Sequence, residues 1–319
     1  MGNIDELMAT CPLKQYIRQN LWETFIKKLN RKPISYLTFY APTIMDVKHF
    51  TKRGYIKFEE SVYKNVVGIT NDEPRGYPTA IGEGKGRLEV FKIGEAHKLI
   101  SSSDKDLICK FPFDVINLDY CNYIFGPNNN PYISGNLKDI SLIIEHQKKN
   151  KCREFILFIT TRTDKRKKQE GKSVSFAKIF IDSLKSRIKS NIQVNPEFRK
   201  KYKVIFSGDI DQAEKLNYKD FINIGIVKLI AMELAANGYV IKDCSAMWLV
   251  RDEVSPQRDL LHIAIHVGQG AVKKVKSKEL SQYGGVSYLE GGVTLILDKI
   301  SNGKVESLTE KKDRDKLNK

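Results

Sequence analysis

Between residues 66 and 119 three short apolar runs follow one another: VVGITND at 66–72, LEVFKIGEA at 88–96 and FDVINLD at 113–119. Each reads as a strand that ends in a carboxylate or an amide at its carboxyl edge. An open parallel α/β sheet binds ligands in the crevice outside the carboxyl ends of its strands, so a cofactor crevice is the first functional expectation. ISYLTFY at 34–40 reads as the strand before these three, and DVKHFTKRG at 46–54 as a short helix stopped by Gly54. Further on, NLKDISLIIEH at 136–146 is helical, and EFILFITT at 154–161 is almost wholly apolar, as a strand covered on both faces should be.

The C-terminal part adds a strand-like stretch at 203–206 and a helix over 221–237 ended by Gly238. VIKDCSAMWLV at 240–250 and LLHIAIHV at 260–267 are joined by a turn holding Ser255 and Pro256, which is the pattern of a hairpin. A further short strand is expected within 283–300. Strand and helix alternation closed by a hairpin predicts an α/β fold with a mostly parallel sheet, helices on both faces and one antiparallel edge. Three segments are expected: a helical arm at 1–32, an α/β domain at 33–300 with a basic insertion at about 162–203, and a polar tail at 301–319 that frays. In the arm, Leu13, Tyr16, Ile17, Leu21, Phe25, Ile26 and Leu29 recur near one helix face.

At 319 residues the chain can bury a substantial core, and 41% hydrophobic with 29% charged residues is ordinary for a globular protein. It holds no apolar run of membrane-spanning length and no basic, apolar start of a signal peptide, so a cytoplasmic protein without a membrane partner is expected. Cys11, Cys109, Cys121, Cys152 and Cys244 are scattered, without metal-finger spacing or a disulfide framework, and no metal is expected.

The net charge of +16 is concentrated: residues 148–203 hold 18 Lys and Arg against 5 Asp and Glu, which places +13 in one segment. Lys165, Arg166, Lys167 and Lys168 form one basic run, and Arg199, Lys200 and Lys201 another. Between them SFAKIFIDSLKSRIKS at 175–190 reads as an amphipathic helix. Lys and Arg that meet a polyanion release its condensed counterions, so these seven residues are expected to bind nucleic acid. The other reading is a solvated surface that keeps the protein soluble.

This order of elements resembles the class I S-adenosylmethionine-dependent methyltransferase fold, a seven-stranded Rossmann-like sheet whose last two strands form a hairpin. The likeness spans residues 33–270 and rests on layout. It implies S-adenosylmethionine as cofactor, with Asp72 on the ribose, Gly94, Glu95 and Ala96 around the adenine, and Tyr40, Ala41 and Pro42 in the turn after the first strand. Asp119, in DYCN at 119–122, takes the place of the acidic residue that opens the substrate motif of nucleic-acid methyltransferases, with Tyr120 walling the acceptor pocket. Two departures stand out. YAPTIMD at 40–46 carries no glycine where the family has a glycine-rich turn, and Asp119 is followed by Tyr120 and Cys121 rather than two prolines. The resemblance therefore supports two readings: an active methyltransferase-like protein on nucleic acid, or an inactive scaffold of the same fold that binds nucleic acid or an acidic partner within a larger complex. An enzyme using another nucleotide on the same sheet is a third.

The remaining features are read conservatively. IGEGKG at 81–86 lacks phosphate-loop spacing and reads as a flexible turn, and His262 with His266 reads as a polar sheet face rather than half a metal site. Cys121 reads as a small residue filling a strand end rather than a nucleophile. In NYIFGPNNNPY at 122–132, Tyr123, Phe125 and Tyr132, with Tyr120, either stack on an unstacked base or pack the loop down.

Overall fold

In the computed structural model the described residues are 12–40, 44–70, 86–120, 124, 135–162, 226–227, 229–231, 233–249, 260–270, 296–301 and 304–307. The basic insertion, the strand expected at 203–206 and the loop at 122–132, Ile124 apart, lie outside them. The chain forms two compact units, Met1–Asp119 with Lys138–Ile159, and Tyr120–Leu137 with Thr160–Lys319.

The first unit opens with α1 (Pro12–Ile17), a π-helical turn (Arg18–Trp22) and α2 (Glu23–Lys27). Ile17, Leu21, Trp22, Phe25, Ile26 and Leu29 are buried, close to the stripe read from the sequence, whereas Tyr16 is 36% exposed. Trp22 stacks on Phe158, with ring centroids 5.3 Å apart. Then come β1 (Tyr36–Phe39), α3 (Met45–Lys52), β2 (Phe58–Glu59), β3 (Val62–Thr70) and β4 (Arg87–Ile93). Two short helices, α4 (Ala96–Ser101) and α5 (Lys105–Ile108), lead to β5 (Val115–Asp119). Helix α6 (Gly135–Lys149) and strand β6 (Glu154–Arg162) straddle the boundary between the units. As the sequence predicts, β6 is buried along all but its end residues.

Strand order in this unit is β6-β5-β1-β3, with β4 and β2 both on β3. β1 runs parallel to β3 and to β5, and β4 runs parallel to β3. The chain thus steps from β1 outward to β3 and β4, then returns to place β5 on the other side of β1. That reversal is a topological switch point, the place where open α/β sheets leave a crevice at the carboxyl ends of their strands. Side chains lock the joints below it. Gln147 of α6 accepts from Phe113 N (2.8 Å) and donates to Phe113 O (2.6 Å), fully buried, and Arg31 pairs with Asp114 at 2.7 Å.

The second unit holds the end of β6, helical residues within 226–236, β7 (Tyr239–Leu249), β8 (Leu260–Gln269), β9 (Ile296–Ser301) and β10 (Lys304–Ser307). The order is β10-β9-β7-β8-β6. β7 and β8 pair antiparallel over their length, the expected terminal hairpin, and β9 adds a parallel strand to β7. The mostly parallel α/β fold read from the sequence is therefore what forms, with ten strands among the described residues rather than seven. β9 is the further short strand expected within 283–300, and β2 and β10 are additions to the sequence reading. β10 pairs antiparallel with β9 where the sequence suggested only polar tail, because Val305 and its neighbours find a partner strand that composition alone does not show. No helix among the described residues is long and apolar enough to cross a membrane.

Candidate functional site

The switch point collects a set of polar side chains on one face of the sheet. Tyr36 and Thr38 are two residues apart on β1 and point to the same side; Thr38 is in register with Asn117 of β5, and Asp119 follows Asn117 by the same two-residue step. Helix α3 lies over this face, with Phe50 edge-on to Tyr36 at 5.6 Å and Val47 fully buried. Its first turn brings in Asp46. One oxygen of that carboxylate, Oδ2, accepts from Tyr36 Oη (2.6 Å), Thr38 Oγ1 (2.9 Å) and Asn117 Nδ2 (3.2 Å). Tyr36, Thr38 and Asn117 are 0%, 1% and 2% exposed, and Asn117 Oδ1 is buried without a hydrogen-bond partner.

The local backbone is unusual here. Ile44, the residue that caps α3, sits at φ +39°, a left-handed conformation uncommon for a β-branched residue, and its side chain is 3% exposed. Burial of that side chain holds the turn that delivers Asp46.

Asp119 closes β5 at the crevice edge, half-buried. Burial pushes its carboxyl up; Lys14 and Arg18 pull it down, Asp46 adds to the rise, and burial prevails. The π turn brings Arg18 to the inner side of the N-terminal helix, where it is 7% exposed. Tyr36 is likewise pushed well up, first by burial and then by the neighbouring Asp46 charge, which keeps it a proton donor. Tyr120, in the second unit, is buried and donates its hydroxyl to Asn136 O at 2.9 Å, while its backbone N–H reaches Thr160 O.

A second polar array lies at the end of β4. Gly94 has φ +144°, a conformation that favours glycine, and donates its N–H to Thr70 O at 2.7 Å. Glu95 then caps α4, and Ala96 is buried. The Glu95 carboxylate is held by His97 Nε2 (3.1 Å) and Lys98 Nζ (3.2 Å). On the other side, Asp139 of α6 accepts from the backbone N–H of His97 (2.5 Å) and meets its Nδ1 (3.0 Å). Burial pushes Asp139 up to about 6 against these contacts. Tyr40 stands nearby, its backbone N–H bonded to Ile69 O and its ring edge-on to Phe91 at 4.8 Å.

Of the residues singled out in the sequence, Tyr40, Gly94, Glu95, Ala96, Asp119 and Tyr120 are described; Ala41, Pro42, Asp72 and the seven basic residues Lys165, Arg166, Lys167, Lys168, Arg199, Lys200 and Lys201 lie outside the described residues. Four residues escaped the sequence reading, namely Tyr36, Thr38, Asp46 and Asn117. Asn117 was open to it, as an amide inside the otherwise apolar strand VINL. Asp139 was open as well, since it breaks an apolar helical stripe with Ile140, Ile143 and Ile144.

A family model described as PP_RS20740-like matches residues 92–284, more than half of the chain. No curated protein matches. Among solved structures, the chain is similar to the plantazolicin methyltransferase BamL, in complex with a triazolic desmethylPZN analog and SAH, at 12% identity and TM-score 0.40, over 84% of this chain and 90% of that one. It is also similar to a class I S-adenosylmethionine-dependent methyltransferase described as putative in its source, Listeria monocytogenes, at 12% identity and TM-score 0.39, covering 98% and 68%. An O-methyltransferase family protein from Burkholderia thailandensis follows at 11% identity and TM-score 0.34, covering 84% and 59%.

Proposed function

The chain belongs to the PP_RS20740-like family; because it gathers buried polar groups at a switch point, we propose that it is an S-adenosylmethionine-dependent methyltransferase-like protein that acts on or docks to nucleic acid. The observation that carries this reading is the β1/β5 crevice, where Asp46, from the first turn of α3, meets Asn117 of β5, and Asp119 closes that strand at its carboxyl end. A buried acceptor with no donor, Asn117 Oδ1, fits a polar ligand there.

S-adenosylmethionine would supply the transferable methyl group. Asp72 would hold its ribose, Gly94, Glu95 and Ala96 would border the adenine, and Tyr40, Ala41 and Pro42 would line the turn after the first strand. Gly94 keeps the turn backbone close to β3 through its bond to Thr70. The chain's own part is positioning, which is most of what methyl transfer asks of a protein. Asp119 would orient the acceptor and take its proton; a carboxyl raised by burial holds a proton more readily than an exposed one. The basic residues 165–168 and 199–201 would position the polymer through its phosphates without reading its sequence.

A second reading, the inactive scaffold, draws on two observations. The turn at 40–46 has no glycine, and the Glu95 carboxylate is already held by His97 and Lys98. One titration separates the readings, and a second tests the nucleic-acid binding that both can share. Calorimetry with S-adenosylmethionine should show saturable binding; its absence would leave the scaffold. Fluorescence anisotropy with duplex and single-stranded probes should show affinity falling steeply with salt, by about one unit of log affinity per unit of log salt for each duplex phosphate contact. Replacing Lys165, Arg166, Lys167 and Lys168 by Gln should flatten that slope for all sequences alike. No binding at low salt would remove nucleic acid from the proposal.

A further inference from the structure

Beyond the end of β4 one imidazole stands between two carboxylates. His97 Nδ1 lies 3.0 Å from Asp139 Oδ1, and His97 Nε2 lies 3.1 Å from Glu95 Oε2. Both ring nitrogens meet an oxygen, so turning the ring over loses both contacts and its orientation is fixed. An ionised carboxylate only accepts, and each of the two contacts therefore needs a proton in it. Two protons must be shared among Glu95, His97 and Asp139, either as an imidazolium between two carboxylates or as a neutral ring beside one carboxylic acid. With a single proton in the trio, one ring nitrogen points its lone pair at a carboxylate.

The surroundings decide which contact then opens. The Asp139 side chain is 7% exposed, and the same oxygen also accepts from the His97 backbone N–H at 2.5 Å, which ties it to the start of α4. The Glu95 side chain is 46% exposed and is free to turn into water. Glu95 and Asp139 are the charged groups that meet the ring among the described residues. Lys98 Nζ, 69% exposed, holds the other Glu95 oxygen at 3.2 Å, and a pair so open to solvent is weak.

We propose that His97 is a proton-operated latch on Glu95: with two protons in the trio it holds the Glu95 carboxylate, and on losing the second it keeps the first on Nδ1, facing Asp139, and releases Glu95 to a ligand. The proposal rests on the methyltransferase-like reading only in taking S-adenosylmethionine or its demethylated product as that ligand. Burial pushes the Asp139 carboxyl up to about 6, which sets the release between acidic and neutral pH. The contact of Glu95 with His97 thus belongs to the acidic form of the chain.

The test uses the full chain with isotope-labelled histidine rings, and S-adenosylhomocysteine as the ligand probe. In nuclear magnetic resonance the His97 signals are identified by their loss in His97→Gln or their shift in Glu95→Gln. Nε2 should carry a proton at about pH 5 and none at about pH 8, where Nδ1 is protonated. An Nε2 protonated at both, or bare at both, overturns the latch. For a midpoint of about 6, the released form is about a tenth of the chain at about pH 5 and nearly all of it at about pH 8, so affinity in calorimetry should rise about tenfold over the interval. His97→Gln has no ring proton to lose and should bind with an affinity level in pH. Glu95→Gln, at an exposed position, serves if that variant does not fold, because an amide can face the ring with or without its second proton. An affinity that is level in the parent, or that rises as much in the variant, overturns the release of Glu95 even where the ring titrates as expected, and the methyltransferase-like reading survives because the ligand binds. If S-adenosylhomocysteine binds at no pH while Nε2 still loses its proton, the latch stands and the cofactor reading falls.

Discussion

Asp46→Ala should be among the most damaging substitutions in the first unit. The change strips the acceptor from three donors, at 2.6 Å (Tyr36), 2.9 Å (Thr38) and 3.2 Å (Asn117), on residues no more than 2% exposed. A buried donor left unsatisfied costs about 1–3 kcal/mol. The full sum is not expected, because Thr38 Oγ1 also reaches Phe39 O at 3.3 Å and Asp46 is only half-buried, so water can enter where its carboxylate was. The expected loss is about 3–6 kcal/mol, a large part of the roughly 5–15 kcal/mol that holds a typical protein folded. Removing the stranded donors should then help: Tyr36→Phe and Thr38→Val added to Asp46→Ala should recover about half of the loss, since replacing both sides of a buried hydrogen bond by apolar groups is close to neutral. Urea unfolding read by Trp22 in a Trp248→Phe background reports this unit, because Trp22 is buried against Phe158. A loss under about 1 kcal/mol, or a further loss on adding the two apolar substitutions, would refute the shared-acceptor account.

Three further outcomes are expected. Asp72→Ala should weaken S-adenosylmethionine binding by about ten- to a hundredfold in calorimetry, with an unchanged melting curve; equal affinity removes Asp72 from the ribose site. Gln147→Leu leaves the N–H and C=O of Phe113 unsatisfied and should cost about 2–4 kcal/mol in denaturant titration, since both backbone partners are buried. The pH prediction concerns Asp139, raised in the folded state to about 6 from an ordinary 3.8. The folded chain then holds a proton that the unfolded chain has lost, so stability falls as pH rises from about 4 to about 6, by on the order of 3 kcal/mol. Asp139→Asn keeps an acceptor for His97 and should abolish that fall; a parent whose stability is level or rising over the interval contradicts the burial of this carboxyl.

Much of the architecture was legible because it is written in local patterns. The apolar run at 154–161 could only be a covered strand, and Gly54 and Gly238 stop their helices at φ +73° and +78°, as a left-handed cap requires. β2 was missed because its two exposed residues carry no period, and β10 because a polar strand is recognisable only beside its partner. The candidate site was half legible for a similar reason. Asp119 and Gly94–Ala96 sit at strand ends, where position alone suggests a role. Asp46 and Asn117 are 71 residues apart in the chain, and nothing in either neighbourhood says that the pairing of β1 with β5 and the first turn of α3 together bring them within hydrogen-bonding distance. The π turn was also hidden, since the apolar spacing of the N-terminal arm is nearly the same whether the helix widens or not.

That widened turn has a consequence for how the arm can vary. A π turn holds one residue more than an α-helix needs over the same length. Deleting a single solvent-facing residue there, Gln19 or Asn20, would let the helix tighten to ordinary α geometry while the residues on either side keep their faces. Leu21, Trp22 and Phe25 would keep their seats and Lys14 its bearing on Asp119, whereas the same loss from a helix without the extra residue would turn everything before it by about 100°. The turn is therefore a slack link, able to take up a one-residue change in the length of the chain.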